Sequence, residues 1–181
     1  MTAADLGGAV ADTAALAGIE ACVPALRRYA WGLLRHREDA DDLVHDCLER
    51  ALGKLHTRHD GADLRPWLFT IMHNLFISQY RRRKVRPITE TLDESHEAIF
   101  STQASQEDVL LWRDMLRALA MLPEEQRSVV LLISVEDLSY AETATVLGVP
   151  VGTVMSRLAR GRERLREYTG TDARPALRRV K

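Results

Sequence analysis

Residues 137–167 read DLSYAETATVLGVPVGTVMSRLARGRERLRE, and this stretch decides the fold class. It predicts a short helix, a tight turn and a longer helix studded with arginines, the layout of a helix-turn-helix. Ser139-Tyr140-Ala141-Glu142 has the form of a capping box, in which the serine oxygen and the glutamate satisfy free amides at a helix start. Ala141, Ala144 and Leu147 are expected on the inner side of that first helix. Gly148 suits a left-handed residue just past its end. Pro150 stops the first helix, and its fixed φ suits the entry to the second. Val151, Val154, Leu158 and Leu165 recur at helical spacing and predict one buried stripe. Thr153, Ser156, Arg157, Arg160 and Arg164 gather on the other side, with side chains suited to phosphates and base edges. A helical hairpin with a solvated basic face is the bland alternative for this segment taken alone.

Working outward, the composition favours helix throughout. The hydrophobic share of 46% is enough for cores in a 181-residue chain, aromatics supply only 6%, and no segment alternates as a strand does. The net charge of −1 hides segregation. Arg81-Arg82-Arg83-Lys84 with Arg86, and the arginines of 157–166, are basic blocks. Acids collect at 38–42, 93–97 and 107–108. Such separation suggests DNA on some faces and a protein partner on others, although solvated surface charge explains it equally well by itself. No run of eighteen apolar residues predicts a membrane span, and the acidic N-terminus lacks the basic region of a secretory signal. Cys22 and Cys47 form no CxxC pair, which fits reduced thiols in the cytoplasm. A zinc site from His36, His45 and Cys47 matches no closed structural spacing, so no zinc site is expected.

The chain divides into two small helical domains joined by a flexible linker. The expected bounds are a flexible N-terminus at 1–18, a first domain at 19–84, a linker at 85–106, a second domain at 107–168 and a flexible basic tail at 169–181. A helix is expected from about Ile19 to Leu34, with Pro24 near its first turn. Asp39 then caps a second helix through about Leu55, which buries Leu43, Val44, Cys47, Leu48, Ala51, Leu52 and Leu55. Asp60-Gly61 marks a turn. Pro66 opens a third helix through about Lys84. Helices at 107–122 and from Pro123 to about Val135 precede the helix-turn-helix, with Glu124 and Glu125 at a positive dipole end.

The third helix carries a second constellation. Leu68, Ile71, Met72, Leu75 and Phe76 form its expected core face. Another stripe collects Trp67, Thr70, Asn74, Ile77, Ser78 and Arg81. An indole, an amide and a guanidinium suit splayed bases and a backbone. From spacing alone, a Trp67 that caps the core and a merely solvated Asn74 fit equally well.

Four ordered matches, spanning about residues 20–168, give the chain a resemblance to bacterial RNA polymerase sigma factors of the extracytoplasmic-function (ECF) group. Residues 41–48, DDLVHDCL, resemble the helix with which that family docks on core polymerase. Residues 66–74, PWLFTIMHN, with Arg81 and Arg82, are similar to its promoter-melting helix. Residues 122–127, LPEEQR, and 148–158, GVPVGTVMSRL, resemble the entry and the DNA-reading turn of its second domain. The resemblance implies a non-catalytic initiation subunit without cofactor. Its partners would be core RNA polymerase (the beta-prime clamp and beta flap), promoter DNA and an anti-sigma factor, without membrane insertion, in a stress or envelope response. It implies polymerase contacts at Asp42, Leu43, Asp46, Leu48 and Glu49. Minus-ten binding and melting would fall to Trp67, Thr70, Asn74, Arg81 and Arg82, with loop 56–64 helping to hold a flipped base. Minus-thirty-five binding would fall to Thr153, Ser156, Arg157, Arg160 and Arg164. The chain departs from the family pattern at His45, Cys47, Met155 and Ala159, so its promoter sequence does not transfer from a relative.

Three other classes stay open at this stage. A conventional activator or repressor would use the helix-turn-helix without docking on polymerase. A helical nuclease lacks any HExxH or Gly-rich phosphate loop here. A pure interaction module leaves both arginine clusters unexplained.

Overall fold

The computed structural model describes residues 3–55, 63–83 and 117–169, with side chains over 13–55, 63–78 and 117–168. Every regular element among them is helical. In chain order these are α1 (Ala3–Leu34), α2 (Arg37–Lys54), α3 (Leu64–Arg83), α4 (Glu124–Val130), α5 (Tyr140–Leu147) and α6 (Val151–Thr169). A π-helical turn, Leu131–Val135, extends α4. Residues 117–120 are also helical. The expected linker at 85–106, most of loop 56–64 and the tail beyond 169 lie outside the described residues.

The first helix is longer than the sequence reading allowed. It starts at Ala3, so the expected helix start at about Ile19 is corrected, and Pro24 lies well inside the helix. Alanine-rich sequence has high helix propensity. Gly18 lies close to α3, where a Cβ would stand 2.7 Å from Leu64. Ile19, Ala25 and Leu26 are buried on both sides of Pro24 and offset its missing hydrogen bond. The next boundary also differs. Arg35 takes a left-handed φ of 59° and reverses the chain in one residue. Helix α2 therefore starts at Arg37, capped by His36, whose Nδ1 accepts from the Asp39 amide at 3.4 Å. Asp39 was the expected cap.

Helices α1, α2 and α3 pack on one another, and α4, α5 and α6 form a second group. The two groups share one continuous apolar core. Leu26, Tyr29, Leu43, Phe69 and Met72 of the first group join Val129, Leu131, Leu132, Val154 and Leu158 of the second. Helix α5 lies against α3, and α1 reaches α4 and the π turn. A Cβ on Gly32 of α1 would fall 2.7 Å from a Leu131 methyl, so the seam between the groups depends on a close backbone approach.

Candidate nucleic-acid and polymerase interface

The helix-turn-helix forms by the local logic of its sequence. The Glu142 amide donates to Ser139 Oγ at 3.2 Å, and the Ser139 amide donates to Glu142 at 2.7 Å, which completes the capping box. Hydrogen bonding from the Ser139 side chain and from its backbone amide holds the Glu142 carboxyl below its ordinary pKa. Gly148 has a φ of 63°. Bonds from Gly148 N to Thr145 O at 3.3 Å and from Val149 N to Ala144 O at 3.1 Å close α5 in a Schellman motif. The Pro150 carbonyl then receives the Thr153 and Val154 amides as α6 begins.

The buried faces differ from expectation at two points. In α5 the core residues are Thr143, Ala144 and Val146, whereas Ala141 is exposed. In α6 Val154 and Leu158 are buried and Leu165 packs against the core, but Val151 is 42% exposed. Gly161 supplies the missing part of that stripe, since a Cβ there would meet Val130 at 2.9 Å. The glycine lets α6 lie close to α4, and this rotates the buried arc away from Val151.

That rotation re-sorts the α6 arginines. Arg157 donates to Glu125 at 2.7 Å and Arg164 to Gln126 Oε1 at 3.3 Å, so both lean back on α4. Arg162 reaches Ser134 Oγ at 3.4 Å. Arg160 is exposed. Ser156 Oγ donates to the Thr153 carbonyl at 3.0 Å, and both residues are half-buried. At about 100° per residue, the outward arc runs through Gly152, Met155, Ser156, Ala159, Arg160 and Glu163. Met155 and Ala159 thus stand inside it, and Arg157 and Arg164 stand at its edge.

In α2 the polar face is as expected at Asp42 and Glu49, which are exposed, with Asp46 and Leu48 half-buried. Leu43 is 0% exposed, so the expectation that it meets a partner directly is corrected, because it is a core residue. Leu52, expected in the core, is 48% exposed and lies beside His45 and Glu49 on this face. An i, i+3, i+7 reading from Asp42 and His45 would have found it. Cys47 is buried with its thiol on the Leu68 carbonyl at 3.6 Å, while His45 is exposed on the other side, so the two do not converge. Among the described residues no group of three His, Cys, Asp or Glu side chains could hold a metal.

In α3, Asn74 and Ser78 are exposed and Thr70 is half-buried, while Trp67 and Ile77 are half-buried and pack against the core. Thr70 Oγ1 donates to the Pro66 carbonyl at 2.9 Å. Arg81 and Arg82 are helical, but their side chains lie outside the described residues. The core face is wider than predicted. Phe69 is fully buried and His73 nearly so, while Ile71 is only half-buried. Tyr29 packs edge-on against Phe69 at 5.3 Å, and its hydroxyl meets His73 Nδ1 at 3.0 Å. Burial, with a smaller push from the Arg157 guanidinium, lowers the His73 pKa to about 4. Burial pushes the Cys47 thiol up to about 12 and raises that of Cys22 as well, so neither is primed as a thiolate.

The seam between the groups has its own polar centre, which the sequence reading missed. Glu136, fully buried, follows the π turn of the second group. Arg28 of α1 donates to its two carboxyl oxygens at 3.1 and 2.9 Å, and Arg65 of α3 donates at 3.0 Å. Asp137, with a φ of 54°, turns the chain immediately afterwards, and the Leu138 amide returns to Leu132 O at 2.9 Å. Burial raises the Glu136 pKa against the pull of both guanidinium groups. Nearby, Arg127 of α4 donates to the Leu33 carbonyl at the end of α1 at 2.8 Å.

Known proteins share this architecture. Residues 112–165 match the family described as Sigma-70, region 4, and residues 19–73 match the Sigma2 domain of PhyR. The chain is 39% identical to the ECF RNA polymerase sigma factor EcfG of Rhodopseudomonas palustris, over 81% of this chain and 80% of that protein. It is 36% identical to the ECF sigma factor SigM of Mycobacterium tuberculosis, over 80% of this chain and 71% of the other. Among solved structures, the sigma factor RpoE of Bartonella quintana, in complex with the anti-sigma factor NepR, superposes with a TM-score of 0.71. It is 35% identical, with 85% of this chain and 95% of that one covered.

Proposed function

The chain belongs to the ECF sigma factors of RNA polymerase, and on that premise we propose that it binds core polymerase, directs it to specific promoters and helps to melt them. It would act as a non-catalytic initiation subunit in the cytoplasm. The first unit, residues 19–84, would dock on polymerase and hold the minus-ten element. Residues 85–106 would link it to the second unit, 107–168, which would hold the minus-thirty-five element.

Asp42, Asp46 and Glu49, with Leu48 and Leu52, form the polymerase-facing patch in this reading. Charge sets its orientation and the leucines supply burial. Trp67 and Asn74 trap unpaired bases, Thr70 lies between them, and Arg81 and Arg82 hold the backbone. Melting is then driven by binding, which must offset a few kcal/mol for each unstacked base. Thr153, Ser156, Arg157, Arg160 and Arg164 serve the upstream element. Arg157 and Arg164 must first leave Glu125 and Gln126. The observation that carries the reading is that Asp42 and Glu49 of α2, Asn74 and Ser78 of α3, and Met155, Ala159 and Arg160 of α6 are all exposed. They occur together in a fold whose relatives are named as sigma factors.

The two promoter elements are centred about 25 base pairs apart, or roughly 85 Å of B-form duplex at 3.4 Å per base pair. Two units sharing one core do not span that distance. In this reading the seam at Glu136 is closed in the free chain and parts on the promoter. An anti-sigma factor, of the kind bound to the Bartonella relative, would favour one of these arrangements and so link activity to stress.

Run-off transcription tests the proposal. Core polymerase alone should give no specific product from a promoter mapped after overexpression, and adding this chain should restore it. A Trp67→Ala, Asn74→Ala variant should bind core polymerase but leave the start region unreactive to permanganate. A chain that binds promoter duplex alone and does not co-purify with core polymerase would instead be an ordinary activator or repressor.

A further inference from the structure

The outward face of α6 carries an apolar stripe that neither the core nor the arginines account for. Val151 is 42% exposed and Met155 54% exposed, and Ala159 is exposed one turn further on. Their spacing of four residues aligns them along one edge of the helix. Gly152 lies alongside, and a Cβ there would meet nothing within 4 Å. Nothing in the fold requires this exposure, because Val154, Leu158 and Gly161 already fill the contact with α4 and α5.

Chemistry narrows what can cover the stripe. It starts at the first residue of the second helix of a helix-turn-helix, the end of a recognition helix that meets base edges in the major groove. Arg160 stands exposed beside it, so the covering surface combines negative charge with small apolar bumps. In the major groove the thymine C5-methyl is the apolar group that a base edge presents, set among phosphates. We infer that Val151 and Met155 read thymine methyls in the upstream promoter element, with Ala159 leaving room for the adjacent base. Sequence preference at those positions then comes from apolar contact and not from a hydrogen-bonding arginine. This inference rests on the proposed minus-thirty-five role of α6.

The test removes the methyl group alone. Holoenzyme reconstituted with this chain selects its upstream element from a randomised library, and each selected thymine is then replaced by deoxyuridine. One or two positions should lose about fourfold in binding, the value of one buried methyl. Met155→Ala should bind the thymine promoter more weakly and become indifferent to deoxyuridine at one of them. Arg160→Ala should weaken binding while keeping full methyl sensitivity. Equal methyl sensitivity in Met155→Ala and the parent chain overturns the inference, as does a selected element in which no thymine methyl matters. If Met155→Ala leaves DNA binding untouched but weakens capture by an anti-sigma protein, the stripe is a protein-binding surface and the inference is wrong. Failure of the underlying function is distinguishable, because holoenzyme would then select no upstream element at all.

Discussion

The seam at Glu136 and the outward face of α6 use the same residue type for opposite ends. At the seam, Arg28 and Arg65 converge on one buried carboxylate and Arg127 donates to the Leu33 carbonyl. On α6, Arg160 is exposed, and Arg157 and Arg164 bond to Glu125 and Gln126 on α4 of their own unit. Arginines committed to the seam hold two units together. Arginines on the rim are free to exchange an internal partner for a phosphate. The basic residues of this chain therefore divide by what a remote segment places next to them, and arginine density along the sequence does not reveal the division.

Breaking the seam should have the largest effect. Glu136→Ala leaves two guanidinium groups facing each other without their carboxylate. The loss expected for an orphaned buried ion pair is about 3–5 kcal/mol. Because both arginines are 37% exposed, water recovers part of this, and about 2 kcal/mol is the expected loss in urea unfolding. Arg160→Ala should leave the same midpoint unchanged. If both variants unfold alike, the two regions do not differ in the way described.

A pH titration separates the seam from the rim by a second route. The folded pKa of His73 lies at about 4, below the unfolded value of 6.5. A depressed folded pKa means that the unfolded chain takes up the proton first. Stability is therefore full above pH 6.5 and falls as the pH drops from 6.5 toward 4. His73→Gln keeps a polar partner for Tyr29 without titrating, and it should flatten that part of the profile. An equally steep decline in the variant would assign the effect to other groups.

Packing at the seam should give a smaller change. Gly32→Ala places a methyl 2.7 Å from Leu131, a fully buried side chain with little room to yield. A destabilisation of about 1–3 kcal/mol is expected from overpacking, with the two units loosened first in hydrogen exchange. Smallest in stability and specific to function is Arg160→Ala on the rim. It should reduce the slope of log affinity against log salt by about one unit.

The helix-turn-helix was legible because its signals are local. Ser139, Glu142, Gly148 and Pro150 act on neighbours a few residues away, and each does in the structure what its chemistry requires. Periodicity also placed Asn74 outside and Leu68 and Met72 inside. It failed where a helix meets two partners. Helix α3 packs on its own unit and on α5, so its buried arc widens to include Phe69 and His73. Periodicity failed again at Leu52 and Val151, where an apolar residue near the edge of a stripe can turn either way, whereas it placed Leu43 correctly in the core. Glu136 was invisible for a different reason. Its arginines lie 108 and 71 residues away in the chain, and no local pattern links them. The early start of α1 was missed because alanine and glycine read as loose chain until the contact of Gly18 with Leu64 is known.

The central claim is that a closed pair of helical units opens to bridge two promoter elements. It is tested most directly by a distance between exposed Glu20 of α1 and exposed Glu167 of α6, measured through paired labels in the free chain and in the holoenzyme on its promoter. The account predicts a short, narrow distance in the free chain and an increase of tens of ångströms on the promoter. It also predicts that Glu136→Ala shifts the free chain part of the way. An unchanged distance in a transcribing open complex would contradict it.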